Sequence, residues 1–195
     1  MGSSRNFWAL LFAIALGATN SSISLAQSGV DHLQRASSAL ASGKPDEALT
    51  QARAASASIA TSLPFAIQRA VLVESPTQGF GMEIERASNR YGPGDTIEIY
   101  VEPQGYGYNE QDGRYNFGFS VDLVVTDPNG TILGGANEFG SWLYDSRQPN
   151  LETYLQLAIS LNQIPPGNYI LDLRLHDLTI QDVSASTQIE IEVEG

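Results

Sequence analysis

The chain has 195 residues, of which 42% are hydrophobic and 16% charged, a composition that is typical of a globular protein and excludes a disordered one. Its formal net charge of −12 repels phosphate backbones and anionic lipid headgroups, so we expect no nucleic-acid partner. The chain has no cysteine, so core burial must stabilise the fold without disulfides or thiolate metal sites.

The first 26 residues have the parts of a secretory signal peptide. Arg5 supplies a positive charge, and residues 7–18 form an apolar run that is too short to span a bilayer. Ser24-Leu25-Ala26 is a small-x-small cleavage pattern, so we expect cleavage between Ala26 and Gln27. The pattern predicts a periplasmic or secreted protein with no membrane span after signal removal. An uncleaved membrane anchor is the alternative.

Residues 27–63 predict a helical hairpin. The segments 29–42 and 46–62 are rich in Ala, Leu, Gln and Arg, which favour helices. Between them, Gly43 suits the end of the first helix and Pro45 suits the first turn of the second.

The run from Gly43 to Ala55 resembles the second half of a tetratricopeptide repeat. Gly43, Ala48 and Ala55 have the spacing of that family, and Ala36 fits a small position in the first helix. The large aromatic positions of the first helix hold nothing large, and repeat arrays need about three units to bury a core. We therefore expect a helical pair that packs on the next domain or serves as a stalk, not a peptide-binding array.

Residues 64–195 predict a single all-β domain. Alternation of apolar and polar residues with period two recurs through this region, which indicates strands with one buried face. With no helical period between them, eight or nine short strands favour an antiparallel sandwich. The regular segments are 80–85, 97–102, 117–126, 151–161, 169–177 and 183–194, and the less regular ones are 65–74, 131–136 and 141–145.

The acidic charge is confined to the β region. Signal removal takes away Arg5 and no acid, so the net charge changes from −12 to −13. Residues 27–63 hold three acids and three bases, so the whole of that −13 lies on residues 64–195.

Three turn motifs carry a family resemblance. Tyr91-Gly-Pro-Gly-Asp-Thr-Ile97 precedes an early strand, Asp127-Pro-Asn-Gly130 joins two strands, and Pro165-Pro-Gly-Asn-Tyr169 precedes a late strand that ends at Asp177. Residues 80–195 therefore resemble the immunoglobulin-like sandwich domains of bacterial exported proteins. The resemblance implies an antiparallel sandwich and no activity, and it implies that the Tyr169 hydroxyl bonds to the backbone near Ile164 to Pro166.

The charged residues do not form a catalytic or metal-binding motif. His176 shares its outward face with Asp172 and Arg174, which is typical of a solvated strand. Acidic pairs such as Glu83 with Glu85 alternate along strands, so a charged outer surface accounts for them. We therefore expect no enzymatic activity, no cofactor and no metal.

The loop of residues 103–116 is the best binding candidate, because loops on rigid sandwiches carry much of their binding chemistry. It is rich in glycine, and we expect Gly105 and Gly107 to let the backbone turn its tyrosines outward. A second aromatic group lies near residue 143. Such rings suit stacking on sugars or peptides, or they cap the end of the core. The candidate ligand-binding residues are Tyr106, Tyr108, Tyr115, Trp142 and Tyr144.

Two functions remain open at this point. The first is a non-catalytic exported module that binds a protein or another cell-envelope component through these loops. The second is a carbohydrate-active protein, for glycan binding or hydrolysis, that uses loop aromatics with an acid such as Glu110 or Asp145. The second function requires the rings and an acid to converge on one deep cleft.

The signal-peptide interpretation predicts that the exported protein begins at Gln27, because the cleavage pattern ends at Ala26. Intact-mass spectrometry of the protein recovered from an exporting bacterial host measures its first residue. Recovery of a chain that still carries residues 1–26 would contradict the prediction.

Overall fold

The structure, a computed structural model, describes residues 15–162 and 164–195, with side chains from Gln27 onward. The chain divides into two compact units between Leu63 and Pro64. Two helices and nine strands lie in the described residues. They are α1 (Ala15–Ala41), α2 (Pro45–Ser62), β1 (Ala66–Val73), β2 (Arg90–Tyr91), β3 (Thr96–Gln104), β4 (Asn109–Gln111), β5 (Arg114–Thr126), β6 (Ile132–Ser146), β7 (Leu155–Ser160), β8 (Gly167–Asp177) and β9 (Ser184–Val193).

The predicted helical hairpin is confirmed, and its turn has the expected chemistry. Gly43 has a φ of +71°, which closes the end of α1 at little steric cost. The Lys44 backbone N–H donates to the Ala39 carbonyl at 3.0 Å, and Pro45 starts α2.

Helix α1 is longer than predicted, because it begins at Ala15 instead of residue 29. Most of the predicted signal peptide, residues 1–14, lies outside the described residues, and cleavage after Ala26 stays a prediction. Neither helix, over its described residues, is long and apolar enough to cross a membrane.

The second unit is the predicted antiparallel sandwich. One sheet has the order β1-β3-β7, and the other has the order β2-β9-β8-β5-β4 with β6 paired to β5. All pairs are antiparallel except the short pair of β2 with β9. β8 pairs with residues 119–126 of β5, and β4 pairs with residues 114–116. β5 therefore pairs with more strands than any other described strand.

The core lies between the two sheets and consists of the predicted inward faces of β3, β5, β7, β8 and β9. The centre of the core is closed to solvent, since Phe119 and Leu155 have no exposed surface and Leu173 is 2% exposed. The buried positions alternate along β7 and β8, as period-two patterning requires, whereas the middles of β3 and β5 are buried on both faces. They include Ile97, Ile99, Val101, Phe117, Val121, Leu123, Leu157, Ile159, Leu171, Leu175, Ile191 and Val193.

The prediction of a strand at residues 80–85 is wrong. Met82 is 69% exposed and Ile84 is 62% exposed, and only a single bridge between Val73 and Glu85 forms there. The Arg69 side chain instead binds Glu83, with Nε 2.9 Å from Oε1, and Glu85, with Nη2 2.8 Å from Oε2. The ion pairs hold the acidic side of this segment against β1, so alternation here does not mark a buried apolar face.

Strand β3 is buried on both faces, although its alternation predicts one outward face. Tyr100 is fully buried and Glu102 is 7% exposed. The Tyr100 hydroxyl donates to Glu102 Oε1 at 2.6 Å and accepts the Gly81 backbone N–H at 2.9 Å. The segment between β1 and β2 therefore contacts this face and satisfies its polar groups.

The predicted segments 131–136 and 141–145 form one strand, β6, and two short strands, β2 and β4, have no counterpart among the predictions. The hairpin turn before β6 is as predicted. Asp127 Oδ1 accepts the backbone N–H groups of Asn129 at 2.9 Å and Thr131 at 2.8 Å, and Gly130 has a φ of +83°. These bonds fix the end of β5.

The predicted bond of Tyr169 is confirmed. Its hydroxyl donates to the Pro165 carbonyl oxygen at 2.6 Å, which ties the start of β8 to the turn that precedes it.

The faces of β8 make a direct stability prediction. Leu173→Ala removes a 2%-exposed side chain and should lower the free energy of unfolding by about 2 to 5 kcal/mol. Its exposed neighbour Arg174→Ala should change that free energy by no more than about 0.5 kcal/mol. Urea denaturation of both variants checks this, and similar losses at the two positions would refute the assigned faces.

Candidate functional site

The tyrosine loop turns inward at Tyr106. This side chain is 5% exposed, and its ring stacks on Phe117 at 5.5 Å and meets Phe119 edge-on at 5.0 Å between centroids. The expectation that the loop glycines direct Tyr106 outward is therefore wrong. Gly107 instead allows a close approach, because a Cβ there would lie 2.6 Å from Thr179 Oγ1. The Gly107 N–H donates to buried Asp177 at 2.9 Å.

Two tyrosine hydroxyls of the loop share one acceptor. The hydroxyls of Tyr106 and Tyr108 each lie 2.6 Å from the carbonyl oxygen of Asn150. Tyr106 also lies 3.0 Å from the hydroxyl of buried Thr153. Burial raises the pKa of both Tyr106 and Tyr108 above the ordinary value. The loop is thus anchored to the connection that precedes β7.

Two further predicted residues join the same ring cluster. Tyr115 meets Tyr108 edge-on at 6.1 Å, and Tyr144 stacks on Phe117 at 4.8 Å between centroids. The Tyr144 hydroxyl donates to the Tyr154 carbonyl at 3.3 Å, and burial raises its pKa. We call Tyr106, Tyr108, Tyr115 and Tyr144 the tyrosine cap. Its contacts favour the interpretation that these rings close one end of the core.

The fifth predicted residue, Trp142, lies on β6 opposite Phe119 and packs against the core. Its ring lies directly over Gly140, where any Cβ would collide with it. Because side chains alternate along a strand, Ser141, Leu143 and Asp145 point the other way. Leu143 is 79% exposed, which makes it the most exposed large hydrophobic residue among those described.

Strand β6 has an unpaired edge. It pairs only with β5, and it is the longest strand with a single partner among the described residues. Its first half is irregular, because the pairing register shifts beside Leu123 and Glu138 has a φ of +51°. Pairing is regular from Gly140 to Ser146. We call this seven-residue stretch the open edge.

The direction of the backbone groups follows from one hydrogen bond. The Leu178 N–H donates to the Gly118 carbonyl, so the backbone of Gly118 faces away from β6. Backbone groups alternate in direction along a strand, so Phe117 and Phe119 bond to β6 instead. Their opposite residues on β6 are Tyr144 and Trp142.

The residues between those bonded positions therefore direct their N–H and C=O groups away from the sheet. They are Ser141, Leu143 and Asp145. This edge was not found from the sequence, because a strand pattern does not reveal which strands lack a second neighbour.

The His176 side chain contacts Asp122 near the surface. Its Nε2 lies 2.8 Å from Asp122 Oδ2, and the other oxygen of Asp122 accepts the Glu138 N–H at 2.8 Å. The hydrogen bond from the Glu138 N–H lowers the pKa of Asp122, and the hydrogen bond with His176 lowers it further by a smaller amount. The pair lies beside an open depression of about 780 Å³. Among the described residues, no three His, Asp or Glu side chains have the geometry to hold a metal ion.

Comparisons with known proteins give distant likenesses only. No family model matches the chain, and no curated protein matches it. A superoxide reductase (neelaredoxin) from Ignicoccus hospitalis has 10% identity over 66% of this chain and 82% of its own, with a TM-score of 0.32.

Two other solved structures are similarly distant. A conjugative transposon lipoprotein from Bacteroides eggerthii has 12% identity over 66% of this chain and 96% of its own, with a TM-score of 0.31. A CARDB domain from Pyrococcus furiosus has 16% identity over 67% of this chain and 92% of its own, with a TM-score of 0.30. At these scores the likenesses carry no argument about function.

The tyrosine cap predicts a loss of stability at alkaline pH. The pKa values of Tyr106, Tyr108 and Tyr144 are raised from 10.0 in the folded chain, so unfolding releases their protons above that pH. The contribution of these three protonated hydroxyls to the free energy of unfolding is therefore fully present below about pH 10, and it is lost as the pH rises further. Urea midpoints measured from pH 8 to 11 should fall above pH 10.

A matched variant isolates one of these groups. Tyr108→Phe removes one titrating hydroxyl, so the alkaline decline of its stability should be shallower than that of the wild type. An equally steep decline in this variant would show that the hydroxyl of Tyr108 does not contribute to it.

Proposed function

We propose that this protein is a non-catalytic, exported, immunoglobulin-like module that binds an extended segment of another protein at the open edge. The observation that carries the proposal is the regular stretch Gly140–Ser146, which has no second partner strand among the described residues and has the 79%-exposed Leu143 at its centre. An exposed row of backbone donors and acceptors is the template for strand addition, in which a partner contributes one more strand to the sheet.

The strand order supports the immunoglobulin-like assignment. In that fold, strands A, B and E form one sheet, and G, F and C lie side by side in the other, with C′ added beside C in variable-type domains. Here β1, β3 and β7 form one sheet, while β9, β8, β5 and β6 follow one another in the second. The Tyr169 bond at the start of β8 corresponds to the tyrosine corner of that fold.

The side chains around the open edge support binding of an extended partner. Leu143 offers an apolar contact on the outer face, and Ser141 on the same face is small enough to leave room beside it. The sandwich carries a net charge of −13, so a neutral or basic segment approaches it more readily than an acidic one.

The same geometry gives less support to a carbohydrate-active function. Tyr106 is buried, and the hydroxyls of Tyr108 and Tyr144 are bonded to backbone carbonyls, so these rings are committed to the core. Asp145 is paired with Arg114, whose Nε lies 2.6 Å from Oδ1. A carbohydrate-active function needs exposed rings beside an unpaired acid in one cleft, and these contacts do not favour that arrangement.

The test is a pair of substitutions at Leu143, compared by pull-down from cell-envelope extract. Leu143→Pro removes a backbone N–H that points away from the sheet, and proline is tolerated at such positions of edge strands. Leu143→Thr keeps that N–H and removes only the apolar side chain. We expect the wild type to capture partners that Leu143→Pro loses and Leu143→Thr retains, because the backbone contributes most of the pairing.

Thermal midpoints of both variants establish that they are folded. Equal capture by the wild type and Leu143→Pro would contradict binding at the open edge. Capture that depends instead on Tyr108 and Tyr115, tested by their joint replacement with Ser, would favour a site at the tyrosine cap.

A further inference from the structure

A second surface lies on the helical hairpin, and its argument is independent of the open edge. The sides on which α1 and α2 face each other are lined by small or polar residues. The buried residues are Ala39, Ala48 and Ala55, and Gly29 lies close to Ile59. His32 Nδ1 lies 2.7 Å from Gln51 Oε1 across the same interface. Among the described residues, the hairpin thus buries no large apolar side chain fully between its helices, and Ile59, which reaches Gly29, stays 44% exposed.

The other large apolar residues of the hairpin lie farther from this interface, and all of them, with Ile59, remain about half exposed. On α1 they are three and seven residues apart, and on α2 and the residue after it they are ten and four residues apart, separations that keep each set toward one side of its helix. They are Val30, Leu33 and Leu40 on α1, and Leu49, Ile59 and Leu63 on or directly after α2, with exposed fractions between 43% and 64%.

Both sets fall on one side of the hairpin. With about 100° per residue, Val30, Leu33 and Leu40 lie roughly a quarter turn from the side of α1 that faces α2. Leu49 and Leu63 are rotated in the same sense from the side of α2 that faces α1, and Ile59 lies between them and that side, next to Gly29. Because the helices are antiparallel, equal rotations bring the two sets to the same side. We call the resulting surface the apolar face.

The opposite side of the hairpin is polar. A shallow groove there is lined by Asp31, Arg35, Lys44 and Glu47, among others. Lys44 Nζ lies 3.2 Å from Glu47 Oε2 within this groove. The hairpin is therefore amphipathic as a unit, with one side suited to water and one side that is not.

We propose that the apolar face binds the same face of a second copy of this chain, so that two hairpins form a four-helix bundle. Six half-exposed side chains present on the order of 500 Å² per copy, and two such faces reach the roughly 1,000 Å² that a specific interface requires. Small residues, Ser37, Ala52 and Ser56, alternate with the large ones on this face. A self-complementary pairing can therefore place large side chains of one copy against small ones of the other.

The charge distribution favours the hairpin as the place where two copies meet. Residues 27–63 have three acids and three bases, whereas each sandwich carries −13. Like charges oppose an approach of two sandwiches, and the uncharged apolar face offers the contact with the least electrostatic cost.

The first test is sedimentation equilibrium of the full chain, produced and processed in an exporting host, over a wide concentration range. The wild type should show the mass of two chains and dissociate on dilution. Leu33→Glu combined with Leu40→Glu should weaken the dimer at least tenfold, because both charges lie on the apolar face. Gln34→Glu combined with Ser38→Glu adds the same charge to the polar side of α1 and should leave the dimer intact.

The second test does not depend on the charged variant being folded. The natural chain has no cysteine, so single Ser→Cys variants give unambiguous cross-links. Ser37→Cys, Ser56→Cys or a mixture of the two should form a disulfide-linked dimer at least tenfold faster than Ser38→Cys. Ser38 is the neighbour of Ser37 and lines the polar groove.

Several results would overturn the proposal. One is a wild-type chain that stays monomeric at every concentration, which would mean that the apolar face is covered within one chain or by a different protein. Another is a dimer that resists the Leu33 and Leu40 substitutions but dissociates with Leu143→Pro, which would place the contact at the open edge. Equal cross-linking at Ser37 and Ser38 would also contradict the assigned face.

Discussion

The burial of β5 between β8 and β6 is the constraint on which the sandwich depends. The chain has no disulfide, so one continuous apolar core must stabilise residues 64–195. Phe117 and Phe119 supply its largest contacts, since they touch each other, Tyr106 and Tyr144. Every strand of the large sheet is connected to β5 by strand pairing, either directly or through β8 and β9.

The length of β5 also explains where the candidate functional surfaces lie. β8 pairs with β5 only from Phe119 onward, so the first residues of β5 extend beyond it. β4 covers one edge of this extension, and β6 covers the other. The tyrosine cap closes the inner face of the extension, and the open edge is its outermost strand. An aromatic cluster and an available backbone edge are thus two consequences of one overhanging strand.

The two units of the chain present different kinds of surface for the two proposed associations. The sandwich is acidic, buries its large aromatic residues and, among the described residues, leaves the outer edge of its longest single-partner strand, β6, without a second partner strand. The hairpin has no net charge, buries alanines and leaves its leucines exposed. In the proposed associations, hydrogen bonding would direct recognition at the first surface and apolar burial at the second. The two proposed associations would therefore use different residues and would not compete.

Local chemistry in the sequence was sufficient to determine the hairpin, its Gly43 turn, the sandwich class, most inward faces and the Tyr169 bond. These features depend on period, glycine, proline and nearby hydrogen-bonding groups, which the sequence displays directly. The tertiary structure alone decided that residues 80–85 form no strand, that Tyr106 belongs to the core, and that β6 has no second partner strand in the part of the chain that the structure describes. Those outcomes depend on which distant segments become neighbours, such as Arg69 with Glu83 or Tyr106 with Asn150, and alternation along one strand cannot specify its partners.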